Sequence, residues 1–239
     1  IIAIFFYLFP ALVFVATDSV KLIKLPSFLY PLSNLLQFIY HRSFYTKLAK
    51  GIIIFLTIYL LYSIFQLWYA DTLFAKGEAA STAGNPGRAY NLLSVAAELN
   101  KGEPFYKSEL SFAAAQAAAA LKDTDATLSA QLKDEADTLT TEVLNTSPKN
   151  VSFLRSAVRT YFELSTLDNT YTDKTLQTLD KAIKLAPTDP KLYYNKALVL
   201  ETVGRKDAGI KALQQAVSLK PNYLEALAQL KEATVPAKP

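Results

Sequence analysis

The side chains that do acid–base, nucleophilic or metal chemistry are few in this sequence, and they lie far apart. There is no Cys and a single His, His41. Thiol catalysis, zinc ribbons, iron–sulfur clusters and disulfide frameworks are therefore excluded, as is any site that needs two imidazoles. A Ser–His–Asp triad cannot be assembled beyond residue 41. His41 stands beside Arg42 with no acid near it in sequence, so it reads as a polar-face residue at a membrane surface rather than as a general base. The carboxylates Glu135, Asp137, Glu142 and Glu163 fall on helical segments, and spacing alone does not single out a glycosidase-type pair among them. Asn145-Thr146-Ser147 and Asn150-Val151-Ser152 match the glycosylation sequon, which matters only in a eukaryotic secretory setting. No Gly-rich phosphate loop, His-Glu-x-x-His zinc motif, nucleophile elbow or calcium loop is present. The expectation is a chain with no catalytic residue, no metal and no cofactor of its own.

The elements that would have to position a site fall into two parts. Of the 239 residues, 51% are hydrophobic and 19% charged, and the mean hydropathy of +0.16 is high for a soluble protein. Gly51–Ala70 (GIIIFLTIYLLYSIFQLWYA) is 20 residues without a charge. At about 1.5 Å per residue it spans the hydrocarbon thickness of a bilayer. Trp68 and Tyr69 stand at its far end, where interfacial aromatics belong. Ile1–Ala16 (IIAIFFYLFPALVFVA) reads as a second, truncated transmembrane helix, with Pro10 tolerated as it is in bundled spans. The chain opens inside this apolar run and lacks Met, so it is expected to be the C-terminal piece of a longer protein. Between the spans, Phe28, Leu29, Leu32, Leu35, Leu36 and Ile39 recur at helical spacing opposite Ser33, Asn34, Gln37 and His41. That pattern fits a helix lying in the headgroups, anchored by Tyr30 and Tyr40.

Charge orients this arrangement. Residues 17–50 hold five cations (Lys21, Lys24, Arg42, Lys47, Lys50) and one anion, Asp18. Residues 71–239 hold 20 cations and 20 anions. The positive-inside rule makes 17–50 a cytoplasmic loop and puts 71–239 on the extracytoplasmic side. The pI of about 9.0 thus belongs to one loop, and nothing in the large domain reads as a nucleic-acid surface.

After Ala70 a repeat begins. Leu179, Ala182, Leu185 and Pro187 recur 34 residues later as Leu213, Ala216, Leu219 and Pro221. Pro190–Tyr223 resembles the tetratricopeptide (TPR) motif, whose period is about 34 residues. Tyr193 takes the large aromatic position, Ala197 and Ala216 the small positions at helix crossings, and Gly204 the left-handed cap. Lys196 and Gly209 depart from the usual aliphatic and Ala. Gly77, Gly84, Ala89, Leu93 and Ala96 match the same pattern in Asp71–Lys101. Two looser units follow, Phe105–Leu121 with Thr124–Asn145 and Val151–Leu167 with Thr172–Leu185; Pro148 and Pro187 end them. Tyr223–Ala233 closes the last apolar face, and 234–239 is a tail. The alanine run from Ala113 to Ala120, interrupted by Gln116, reads as close helix packing. The fold class expected is all-α: two transmembrane helices (1–16, truncated, and 51–70) and a solenoid of about four TPR-like helix pairs with a capping helix (71–233).

In TPR arrays the first helix of each pair lines a ligand groove. Carrying that motif across implies Tyr194, Leu198 and Glu201 in the last repeat and Leu154, Val158 and Tyr161 in the third, a groove for peptide or protein partners or for glycan. The order of span, basic loop, last span and immediate TPR start at Tyr69–Gly77 resembles the C-terminal part of bacterial O-antigen ligase/polymerase-family membrane proteins with an extracytoplasmic TPR domain. That resemblance implies a metal-independent glycosyltransferase acting on lipid-linked glycans in the inner membrane, its catalytic part absent from this chain. Membrane lipids, TPR-groove partners and a lipid-linked glycan are then the expected contacts. The alternative is a stand-alone membrane-tethered TPR scaffold for envelope assembly, with no enzyme attached.

Overall fold

The computed structural model describes residues 43–234. The span expected over 1–16, the interfacial helix, His41 and all but Thr234 of the tail lie outside the described residues. Within them the chain is helical throughout: α1 (Ser43–Thr82), α2 (Pro86–Leu99), α3 (Pro104–Leu121), α4 (Ala126–Thr146), α5 (Val151–Ser165), α6 (Thr170–Leu185), α7 (Pro190–Thr202), α8 (Lys206–Leu219) and α9 (Leu224–Thr234). The chain divides into two units, Ile1–Trp68 and Tyr69–Pro239.

In the first unit, α1 carries the charge-free sequence. Its segment Lys47–Thr82 is the one stretch among the described residues long and apolar enough to cross a membrane, by length and composition. Of the two expected spans, one candidate falls among the described residues, and the other, 1–16, lies outside them. The large side chains of this stretch are bare: Phe55 is 69% exposed and Ile58 62%. The Thr57 hydroxyl donates to the Ile53 carbonyl at 2.8 Å and the Ser63 hydroxyl to Tyr59 at 2.9 Å, so these polar groups are satisfied within the helix itself.

The second unit begins with the last turns of α1 and stacks four antiparallel pairs: the end of α1 with α2, α3 with α4, α5 with α6, and α7 with α8. Local sequence explains the boundaries. Asn85, Asp125, Asn150 and Asp189 each accept a backbone N–H of the helix that follows, and Pro86 and Pro190 occupy first-turn positions where no N–H is needed. The first and last pairs turn on glycine. Gly84 and Gly204 have φ of +72° and +73°, and the next residue closes back five positions: Asn85 N–H to Ala80 (2.9 Å) and Arg205 N–H to Leu200 (2.9 Å). Both are Schellman caps, which require a left-handed residue that only glycine adopts without strain. The inner pairs turn without glycine, through bonds such as Asp125 N–H to Leu121 (2.8 Å) and Asp168 N–H to Leu164 (3.0 Å).

Packing follows the repeat. Ala70, Leu73, Phe74, Leu93, Ala96, Tyr106 and Leu110 form the first block of core, drawing on one pair and the first helix of the next. Ala114, Ala118, Leu132, Ala136, Tyr161 and Leu164 continue it, then Leu154, Leu179, Leu192 and Val199, then Ala197, Leu213, Ala216, Tyr223 and Ala226. A single pair cannot bury its apolar faces, so each pair relies on its neighbour. Within the alanine run, Ala114 and Ala118 are fully buried, which lets α3 approach both flanking helices. The motif alanines Ala89, Ala96, Ala182 and Ala216 are also fully buried, and Ala197 nearly so. A Cβ on Gly77 would lie 2.6 Å from Leu93 Cγ, so α1 and α2 cross there at a distance only glycine permits.

Polar bonds tie each repeat to the next. Ser81 bonds Gln116, Lys107 pairs with Glu142, Tyr106 donates to Asp71, Lys174 pairs with Asp137 and Arg155 with Asp189, all between residues 34 to 37 apart. One repeat length separates the partners because stacking brings equivalent helices side by side.

Candidate functional site

The first helices α3, α5 and α7 define the face on which a ligand groove was expected. On α5 the exposed residues Ser152, Arg155, Arg159 and Phe162, continued by Thr166 at the C-cap, are spaced three and four apart, a single stripe. Arg159 Nη1 lies 3.5 Å from Glu109 of α3, and its guanidinium sits 4.0 Å above the Phe112 ring. Such stacking uses the flat, weakly hydrated guanidinium to cover an aromatic face. The Ser156 hydroxyl is 3.5 Å from the same carboxylate. Burial pushes the Glu109 carboxyl above the usual range; Arg159 and Ser156 oppose the shift, and Glu78 adds to it.

Beside this cluster is a depression of about 160 Å³ lined by Val158, Arg159 and Phe162 of α5 and Asn195, Leu198 and Val199 of α7. Its walls are mainly apolar. Arg159 supplies a charge and Asn195 an amide.

The six groove residues read from sequence separate. Val158 and Leu198 meet in the depression. Leu154 (1% exposed) and Tyr161 (5%) are core residues, with Tyr161 stacked on Tyr171 at 6.0 Å. Tyr194 packs against Tyr223 at 5.2 Å, and Glu201 accepts from Gln229 at 2.7 Å. Arg155, Arg159 and Phe162 were missed on α5. The missing signal was the cap. Asn150 starts α5 and Asp189 starts α7, so the two helices are 39 residues out of step. Tyr194, Leu198 and Glu201 then correspond to Arg155, Arg159 and Phe162. Leu154, Val158 and Tyr161 precede Tyr194, Leu198 and Glu201 by 40 residues, one more than the caps set, and one residue is about 100° of helix rotation.

The carboxylates considered for chemistry serve other ends. Glu135 accepts from Tyr90 at 2.8 Å, Asp137 binds Lys174 at 2.8 Å and Tyr171 at 3.3 Å, and Glu142 pairs with Lys107. Burial raises the Tyr90 hydroxyl to about 12, with Glu135 adding to the shift, and burial together with Asp71 does the same for Tyr106. Burial also raises the Glu163 carboxyl. Among the described residues no three His, Asp or Glu side chains converge as a metal site.

A tetratricopeptide-repeat family profile matches residues 190–223, the repeat of α7 and α8. No curated protein matches the chain. Among solved structures, the chain is similar to TTC0263, a thermophilic TPR protein of Thermus thermophilus, with a TM-score of 0.52, 18% identity, and coverage of 69% of this chain and 80% of that one. It is also similar to MamA (41-end) from Desulfovibrio magneticus RS-1, with a TM-score of 0.48, 22% identity, and coverage of 69% and 83%. A third is YrrB, described as a TPR protein with an unusual peptide-binding site, with a TM-score of 0.48, 12% identity, and coverage of 68% and 74%. Residues 190–223 are a tetratricopeptide repeat, and the all-α second unit that contains them is a TPR-type solenoid.

Proposed function

We propose that the second unit is a binding module for an extended peptide segment of a partner protein, held at a membrane by the apolar stretch of α1. The observation that carries this reading is the depression between α5 and α7, where Val158, Phe162 and Leu198 offer apolar walls beside Arg159 and Asn195. A pocket of this size takes one apolar side chain of a ligand, while the polar rim reads the adjoining backbone. The helix of bare aliphatic and aromatic side chains supports the anchoring, since such a surface is stable in lipid and not in water. With the basic loop cytoplasmic, the module faces the extracytoplasmic side of a bacterial inner membrane. In the longer protein implied by the resemblance to O-antigen ligases and polymerases, this chain contributes recruitment and the preceding spans the glycan chemistry. The stand-alone scaffold uses the same groove for envelope assembly.

The test is peptide display against the full chain in uncharged detergent, followed by titration of the selected peptide. Phe162→Ala and Leu198→Ala should each weaken binding about tenfold, the cost of leaving an apolar side chain in water. Peptides that bind both variants as well as the wild type sink the proposal.

A further inference from the structure

A second cavity of this unit is not on the groove face. It measures about 340 Å³ and lies among α6, α7 and α8. From α7 the groove uses Asn195, Leu198 and Val199, whereas this cavity uses Tyr193, Lys196 and Leu200. Its charged lining is Lys196, Arg205 and Lys211 against the single acid Asp180. Lys196 Nζ pairs with Asp180 at 2.6 Å, and no ion pair among the described residues involves Arg205 or Lys211. The floor is apolar, from Leu176 and Ala212. Residues 71–239 balance 20 cations with 20 anions, so an excess of two positive charges in one cavity is a local concentration and not a general property of the domain.

The fold also constrains the Arg205 backbone and the Lys196 side chain. Arg205 follows Gly204 in the left-handed turn, and its N–H is bonded to the Leu200 carbonyl at 2.9 Å, which fixes where its side chain leaves the backbone. Lys211 follows six residues later, on α8, and the Asp180 pair ties Lys196 to α6. The equivalent glycine turn of the first repeat, Gly84, is followed by Asn85, so the cation after the turn is specific to the last repeat. We infer that this cavity is a binding site for a small organic or inorganic anion that carries at least two negative oxygens, as phosphate or carboxylate groups. Arg205 would engage one group in a planar, two-point contact while Lys211 acts as a point charge and the apolar floor meets the ligand body. The volume is of the order of known small-ligand sites, about 300 Å³ and upward.

The experiment is calorimetric titration of the full chain in uncharged detergent at low ionic strength, with potassium pyrophosphate and potassium citrate as separate probes. The expected result is saturable binding at one site by at least one probe; comparing the two separates phosphate from carboxylate preference. Arg205→Gln and Lys211→Gln should each weaken it about tenfold, as loss of one charged hydrogen bond implies. Lys231→Gln on α9 should leave it unchanged. Asp180→Asn should tighten binding, because it releases Lys196 and removes the only acid from the lining. Lys211 is an exposed residue, so its variant keeps the fold and the test stands even if Arg205→Gln does not. No saturable binding by either probe, equal loss in Lys231→Gln, or weaker binding in Asp180→Asn overturns the inference.

Discussion

Replacing Gly77 by Ala tests whether the first repeat is closed by direct helix contact. Gly77 is a helical residue, and Ala in place of Gly in a helix interior favours folding by about 1 kcal/mol. The crossing with α2 opposes that gain. The new Cβ would lie 2.6 Å from Leu93 Cγ and 2.9 Å from Cδ2, with the Leu93 nitrogen at 3.4 Å. Leu93 is 1% exposed, so it cannot swing aside without displacing core neighbours. Overpacking of this kind costs about 1–3 kcal/mol. The net change is between about zero and a loss of 2 kcal/mol. Gly209→Ala is the internal control, because the nearest atom to its Cβ is the Ala197 carbonyl oxygen at 3.4 Å and the next lies at 3.8 Å. There the helix-propensity gain should win, raising stability by about 0.5 kcal/mol or more. Urea unfolding of residues 69–239 followed by far-UV circular dichroism measures both. A third arm places Gly77→Ala in a Leu93→Ala background, where the clash is gone and the substitution should turn neutral or stabilising. If Gly77→Ala stabilises the wild type as much as Gly209→Ala does, or if its effect is the same with and without Leu93, the close crossing is not present.

Further expectations follow from the same structure. Ala216 is fully buried, so Ala216→Leu should lower stability by about 1–3 kcal/mol, and Gly204→Val should lower it by about 1–2 kcal/mol because φ is +73° there; unchanged unfolding midpoints would refute either. The Tyr90 and Tyr106 hydroxyls are raised from 10.0 to about 12 in the fold. Below that unfolded value both states keep these protons, and above it the unfolded chain releases them first, so stability should hold up to about pH 10 and fall between about 10 and 12. Unfolding midpoints across that range should decline, and less so in a Tyr90→Phe/Tyr106→Phe variant; a flat or rising profile contradicts the buried, acid-bonded placement. For topology, a lone Cys at Ser218 should react with an impermeant thiol reagent in intact spheroplasts and one at Ser43 should not; the reverse pattern inverts the membrane orientation.

Much of this protein is legible residue by residue because its determinants are local. The 34-residue recurrence of Ala182 and Pro187 as Ala216 and Pro221 marks the last repeat without reference to any contact, and Asn150, Asp189, Gly84 and Gly204 mark helix ends through bonds that span a few residues. The charge-free run through Gly51–Ala70 likewise announces a helix from composition alone. The inner repeats were harder to read because their turns lack glycine and their lengths depart from the period, so the phase of α5 against α7 rests on the caps Asn150 and Asp189 alone. That ambiguity is why Leu154 and Tyr161 looked like groove residues when Arg159 and Phe162 occupy the open stripe. Which side of α5 faces outward depends on how it packs against α3 and α7, and a helix turns through about 100° for every residue of slippage. The convergence of Lys196, Arg205 and Lys211 was invisible for a related reason. Each is an ordinary surface cation in its own segment, and only the stacking of α6, α7 and α8, driven by burial of Leu176, Leu200 and Ala212, brings their charges to one cavity.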